Sequence, residues 1–222
     1  MTRTRMNRPG LVGSLFLLFS LSACTGERER PVFKLLSPNE TGVSFANTIT
    51  TTDSLNVQTD PYVYNGAGVA VGDIDNDGLP DIFFSGNMVS SRLYLNKGGM
   101  RFDDITQQAG VTTRRWATGA TMVDINNDGY PDVYVSVSGP EWTKGGERAN
   151  LLFVNNRNRT FTEAAAQYGI ADTSFTTHAV FLDYDRDGCL DLFLLNNSPK
   201  DFSRGVIGDP SGKSGTTPGR RA

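Results

Sequence analysis

Three short acidic segments carry the residues of this chain that are best suited to bind a metal ion. They are 73–81 (DIDNDGLPD), 124–132 (DINNDGYPD) and 183–191 (DYDRDGCLD). In each segment, side chains with oxygen atoms occupy positions 1, 3, 5 and 9, and glycine occupies position 6, where it permits a sharp turn. Such side chains repel one another unless a cation lies among them. Because Ca²⁺ takes roughly six to eight oxygen ligands and tolerates irregular geometry, we predict about three structural calcium ions.

The predicted ligands follow the same positions in all three segments. The side-chain ligands would be Asp73, Asp75, Asp77 and Asp81; Asp124, Asn126, Asp128 and Asp132; and Asp183, Asp185, Asp187 and Asp191. At position 7, backbone carbonyl oxygens would come from Leu79, Tyr130 and Cys189. Asn126 keeps an oxygen ligand but removes one negative charge, so we expect the second site to bind calcium most weakly. Magnesium suits these segments less well because it retains water and requires a stricter octahedron.

Two other interpretations fit the acidic segments less well. An EF-hand loop needs a bidentate acid at position 12, where this chain has Phe84, Val135 and Leu194. A simple Asp-Gly turn on a solvated surface would explain one segment. Three segments in matching register argue against it.

The segments lie between short apolar runs, which indicates strands before and after each loop. Between the loops the pattern repeats: the steps from Tyr94 to Phe102, Gly110 and Asp124 are 8, 8 and 14, as they are from Phe153 onward. Each unit therefore reads strand, acidic loop, strand, turn, strand, turn, strand. Four short antiparallel strands per unit are typical of a propeller blade. The prediction is an all-β fold with about two and a half blades, which form an incomplete ring.

The repeat pattern resembles FG-GAP/VCBS repeats, the calcium-loop blades of integrin α-subunit propellers. The phrases GDIDNDGLPD (72–81), LYLN (93–96) and FDDIT (102–106) look most like bacterial secreted relatives of cartilage acidic protein. The resemblance covers about residues 33–200 and implies calcium at the loop positions given above. It departs from the family at Asn126 and in the number of blades, so the chain is interpreted as a fragment or as a partner of other blades.

The N-terminal residues have the pattern of an export signal. Arg3, Arg5 and Arg8 precede an apolar run from Leu11 to Leu21, and Leu21-Ser-Ala-Cys24 resembles a bacterial lipobox. The prediction is a lipoprotein signal peptide over 1–23, lipidation of Cys24, a polar tether over 24–32 and a disordered tail over 201–222. An ordinary secretory signal with an incidental Cys24 is the alternative. The protein would be exported and membrane-anchored through its lipid, at the outer membrane or cell surface rather than the inner membrane.

The composition argues against several classes of function. The formal net charge of −3 argues against nucleic-acid binding, and the single histidine, His178, argues against zinc and His-based catalytic sites. His178 is expected at a strand entry on the surface or rim. Trp142 lies in an eight-residue insertion within 138–148 and could contact a protein or carbohydrate ligand, or fold back onto its blade.

No nucleophile–base pair or open catalytic metal site is visible in the sequence, so a non-enzymatic binding or adhesion module is predicted. The alternative is the scaffold part of a larger extracytoplasmic enzyme that acts on polysaccharide.

Overall fold

The computed structural model describes residues 33–60, 62–140 and 142–197. All helices and strands in these ranges lie between Pro38 and Asn197. The predicted signal peptide, tether and tail lie outside the described residues. None of the described helices is long and apolar enough to cross a membrane.

The described strands form three antiparallel sheets in chain order. The first sheet contains β1 (Val69–Gly72), β2 (Asp81–Phe84), β3 (Arg92–Asn96) and β4 (Phe102–Asp104). The second contains β5 (Ala117–Val123), β6 (Asp132–Val137), β7 (Leu151–Asn155) and β8 (Phe161–Glu163). The third contains β9 (Phe175–Leu182) and β10 (Asp191–Asn197). The predicted all-β class with four-stranded antiparallel blades is confirmed, and each acidic segment joins the first two strands of its sheet.

Short helices were not predicted from the sequence, but three occur among the described residues. They are α1 (Pro38–Thr41), α2 (Thr106–Ala109) and a 3₁₀ helix over Gly145–Arg148. Ser37 and Glu40 form a capping box that satisfies the free backbone groups at the start of α1. Gly110 ends α2 in the left-handed conformation (φ 74°). One helical turn is too short to leave an amphipathic pattern in the sequence.

The second sheet is covered on both faces, and this explains why every residue of β6 is buried. Val133, Val135 and Val137 pack against residues of the first sheet, including Phe83 and Leu93. On the opposite face, a second cluster joins the central sheet to the third. Its buried members are Tyr134, Leu152, Ala165, Ile170 and Ala179. The three sheets are therefore successive layers, with the hydrophobic core divided between the two interfaces.

The first strands of the sheets, β1, β5 and β9, lie side by side, and small residues bring them close together. A Cβ atom added to Gly68 would lie 2.7 Å from the Cα of Gly119, and one added to Gly119 would lie 2.8 Å from the carbonyl oxygen of Thr177. Next to Thr177, His178 is exposed on β9 and pairs with Leu195. The predicted surface exposure of His178 therefore agrees with its observed place, but the residue lies within β9 and not at the entry of the strand.

Candidate metal centre

The acidic loops share one set of internal hydrogen bonds, which fixes the backbone of each loop in the same form. The carboxylate at position 1 accepts from the N–H groups of positions 5 and 6. For Asp73 these distances are 3.1 and 2.8 Å, and for Asp124 they are 2.9 and 2.7 Å. Asp183 makes the same pair of bonds at 3.1 Å each. The first carboxylate is therefore directed inward, toward the concave side of the curled backbone.

The curl depends on left-handed backbone at positions 4 and 6. The glycines at position 6 have φ near 86°, and a Cβ at Gly78, Gly129 or Gly188 would meet nothing within 4 Å. Glycine is thus required for its conformation and not for space. Position 4 is also left-handed, at Asn76 (φ 57°), Asn127 (φ 54°) and Arg186 (φ 63°). Asparagine tolerates this conformation well, so the sequence indicates a left-handed residue at position 4 of the first two loops. Arginine at position 186 gives no such indication in the third loop.

The carboxylate at position 9 ties its loop to the sheet. Asp81 is fully buried and accepts from Ile74 N–H at 2.9 Å and from Asn96 N–H at 2.7 Å. Asp132 makes the equivalent bonds at the same distances to Ile125 and Asn155. Burial raises the pKa of both carboxyl groups, and nearby loop carboxylates raise it further, although the two N–H bonds act in the opposite direction.

Positions 1, 3 and 9 converge in the first and third loops. Oxygen atoms of Asp73, Asp75 and Asp81 lie within 4.8 Å of one another, as do those of Asp183, Asp185 and Asp191. The second loop has Asn126 at position 3, so it brings fewer charges together. The predicted ligands at position 5 are not members of these groups: Asp77, Asp128 and Asp187 each accept from the N–H of position 7.

Asp75 is the residue of the first loop whose hydrogen bonding is incomplete. Its side chain is only 7% exposed, and its Oδ2 atom accepts from the Arg159 guanidinium at 2.7 Å. Its Oδ1 atom is buried and has no hydrogen-bond partner. An unpaired buried carboxylate oxygen beside Asp73 and Asp81 is costly, and a bound cation would satisfy it. The donor set therefore fits a hard cation that prefers oxygen ligands.

Two arginines in the turn between β7 and β8 contact the acidic loops, and neither contact is apparent from the sequence. Arg159 reaches from the second sheet to Asp75 in the first, and Arg157 pairs with Asp128 at 3.1 Å in its own sheet. Burial acts to raise the pKa of Asp128, but hydrogen bonds from Tyr130 N–H and Arg157 outweigh it and lower that pKa. Arg157 and Arg159 have positive φ (62° and 66°), which nothing in the sequence indicated.

The first loop also makes polar contacts with the second sheet. Asn76 donates to the Gly129 carbonyl at 3.0 Å, and Asn155 donates to the Ile74 carbonyl at 2.8 Å. With the ion pair of Arg159, positions 2, 3 and 4 of the loop are each bonded to the neighbouring sheet. The candidate metal centre of the first loop is therefore part of the contact between two layers.

The remaining candidate residues lie in varied surroundings. Cys189 is exposed, and the nearby Asp187 carboxylate raises the pKa of its thiol. Trp142 is 59% exposed, so it does not fold fully onto its blade. Trp116 is half-buried. Cys24, the predicted lipidation site, lies outside the described residues, and the predicted carbonyl ligands Leu79, Tyr130 and Cys189 stay predictions.

Comparison with known proteins adds to this geometry. Residues 73–135 match the family model described as FG-GAP-like repeat. A 133-residue stretch is 32% identical to cartilage acidic protein 1 of Xenopus tropicalis, covering 59% of this chain and 20% of that protein. The chain thus spans about a fifth of the length of this curated relative. The family match contains the first two acidic loops and the strands between them, and with the observed sheets it indicates a β-propeller-like repeat module.

Proposed function

We propose that this chain is a calcium-binding β-propeller repeat module whose ions are structural. The observation that carries the proposal is the buried, unpaired Oδ1 of Asp75 among the carboxylates of Asp73 and Asp81. The carboxylates at positions 1 and 9 of the loop already accept hydrogen bonds from backbone N–H groups. The Oδ1 atom of Asp75 accepts none and is therefore available to a cation. The second and third loops have the same internal hydrogen bonds as the first, so we propose calcium sites there as well.

In the first loop Asp73, Asp75 and Asp81 would hold calcium, and in the third loop Asp183, Asp185 and Asp191 would do so. In the second loop the ligands would be Asp124, Asn126 and Asp132. Bound calcium would reduce the negative charge of the loop and supply the missing partner of Asp75. Because an ion that binds only the folded state stabilises it by about 2.7 kcal/mol at 100 times its dissociation constant, chelation should lower the melting temperature. Position 5 and the carbonyl of position 7 remain proposed ligands.

Calorimetric titration with Ca²⁺ and thermal melting with and without chelator test this proposal. Asp75→Asn and Asp185→Asn should each weaken or abolish one site, and Asn126→Asp should tighten the second. Asp53→Asn is a matched control, because Asp53 is an exposed carboxylate outside the acidic loops. If the protein shows no calcium heat and melts at the same temperature with chelator, the loops are only turns.

The wider role we propose is binding or adhesion by an exported lipoprotein anchored through Cys24. Its support is the basic head, the apolar run and the Leu-Ser-Ala-Cys sequence. In a Gram-negative host the protein should fractionate with membranes, and Cys24→Ala should release it or leave it unprocessed. Equal solubility of the two forms would count against lipidation.

A further inference from the structure

A cavity of about 540 Å³ lies at the end of the sheets opposite the acidic loops. Its walls include Arg114, Arg115 and Trp116, which precede β5, and Pro140, Thr143 and Glu147, which follow β6. The second acidic loop joins the other ends of these same two strands. The cavity is therefore separated from the metal centres by the length of the sheet, and it is not part of the calcium sites.

The inserted segment after β6 forms one wall and is held in place by specific contacts. Ser138 N–H donates to the Trp116 carbonyl at 2.9 Å, and an added Cβ at Gly139 would lie 3.5 Å from the Cβ of Trp116. Arg148 donates to the carbonyls of Thr143 and Thr173, and its guanidinium lies 4.4 Å from the centre of the Phe175 ring. These contacts indicate a preformed wall, since both ends of the segment are tied to neighbouring strands.

The charges in the cavity favour an anion. Arg114 is exposed, and no carboxylate forms an ion pair with it in the part of the chain that the structure describes. Arg115 donates to the Ala149 carbonyl, and no carboxylate within the described ranges forms an ion pair with its guanidinium. Among the described residues of the wall, two guanidinium groups thus face one carboxylate, that of Glu147. A guanidinium fork matches carboxylate and sulfate groups geometrically.

The other groups in the wall favour a saccharide. Trp116 offers an aromatic ring on which the C–H face of a sugar can pack, and Thr143 and Glu147 can bond hydroxyl groups. The volume falls within the roughly 300–1,000 Å³ of small-molecule sites, whereas protein partners need a surface of about 800 Å² on each side. A short stretch of an acidic polysaccharide satisfies size, charge and polarity together.

We propose that this cavity binds acidic saccharides, with Arg114 holding a uronate carboxylate or a sulfate group and Trp116 packing against the sugar ring. The inference rests on the proposed binding function but does not require calcium in the acidic loops. The saccharide would be recognised by residues that precede β5 and by the inserted segment, which together line the cavity.

Tryptophan fluorescence gives a direct test, because the chain has two tryptophans. In a Trp142→Phe variant of the full chain, all tryptophan emission comes from Trp116. A hyaluronan tetrasaccharide should change this emission and bind in calorimetry, while its carboxyl methyl ester should bind at least tenfold more weakly. A chondroitin sulfate tetrasaccharide with its uronates methyl-esterified carries charge only on sulfate, so its affinity relative to that of the hyaluronan tetrasaccharide distinguishes carboxylate from sulfate recognition.

Arg114→Gln should weaken binding of the acidic tetrasaccharide about tenfold or more, whereas Arg101→Gln, an exposed arginine between β3 and β4, should leave it unchanged. Calcium titration of the same samples separates this proposal from the metal centre: both variants should keep their calcium binding. Equal affinity for the methyl ester, an unaffected Arg114→Gln variant, or binding of an acidic peptide but of neither saccharide would overturn the assignment.

Discussion

Within each acidic loop, the acidic positions differ in how their oxygens are engaged. Position 1 accepts from two loop N–H groups, and position 9 connects the loop to the sheet. Position 5 bonds its own turn. Position 3 is different in the first loop, because Asp75 has one oxygen paired with Arg159 and one with no partner. The balance of charge at this residue decides how strongly the first loop needs a cation.

Arg159→Gln should destabilise the protein more in chelator than in calcium. Both the guanidinium and a calcium ion reduce repulsion among Asp73, Asp75 and Asp81, so either one partly compensates for loss of the other. Because Arg159 is 53% exposed, the loss in chelator should be modest, up to about 1 kcal/mol of unfolding free energy. Urea denaturation under the two conditions measures the difference.

The control for this substitution is again Arg101→Gln, since the exposed Arg101 lies in the equivalent turn of the first sheet. It should change stability equally little with and without calcium. If Arg159→Gln costs the same under both conditions, Arg159 acts only as a contact between sheets and is not linked to the metal centre.

At the scale of the strands, glycine determines how closely neighbouring sheets approach. Gly68, Gly119 and the backbone at Thr177 lie in a row across β1, β5 and β9. Beside them, Thr118 and Thr121 donate side-chain hydroxyls to the carbonyls of Thr176 and Ala179, at 2.6 and 2.8 Å. These bonds across the interface need short distances between backbones, which any side chain at Gly119 would oppose.

Gly119→Ala should therefore lower the unfolding free energy by about 1–3 kcal/mol, the usual cost of overpacking. The added methyl would lie 2.8 Å from the Thr177 carbonyl oxygen and 3.0 Å from Nδ1 of His178. Gly146→Ala is the matched control, because a Cβ there meets nothing within 4 Å. Thermal melting compares the two variants, and equal stability would show that the strands can separate without cost.

The strands and loops could be predicted because their signals are local: short apolar runs on either side of a spaced acidic pattern. The structure confirms the four-strand unit in the first two sheets. The role of Arg159 could not be predicted, since it contacts Asp75 across 84 residues of chain. The difference between positions 3 and 5 was also hidden, because both are aspartates in the first loop and only the folded backbone distinguishes them.

At the scale of the whole molecule, the layers end in exposed apolar faces. On the third sheet, Ala179, Phe181, Leu192 and Leu194 face the central sheet, whereas Val180, Leu182, Phe193 and Leu195 are exposed. On the first sheet, Val69 and Val71 are more than half exposed. Exposed and buried apolar residues alternate along each of these strands. This pattern is expected if a further sheet packs against the exposed face.

Asp191 gives a second indication that the third sheet can accept another strand. In the first two sheets, the aspartate at position 9 bonds an N–H group of the third strand, at Asn96 or Asn155. Asp191 keeps its bond from Tyr184 N–H at 2.9 Å, but no third-strand donor reaches its other oxygen within the described residues. The edge of β10 and its apolar face are both suited to pairing with a further strand or sheet.

Residues 25–222, without the predicted leader, should therefore self-associate as concentration rises in sedimentation velocity. Phe193 and Leu195 are 61% and 55% exposed on one face, so Phe193→Lys with Leu195→Lys should oppose association by placing charges there. Met100→Lys is the control, since Met100 is 55% exposed at a turn away from β10. It should leave association unchanged. A monodisperse monomer that melts cooperatively at every concentration would contradict the prediction, because it would show that this face is stable in water by itself.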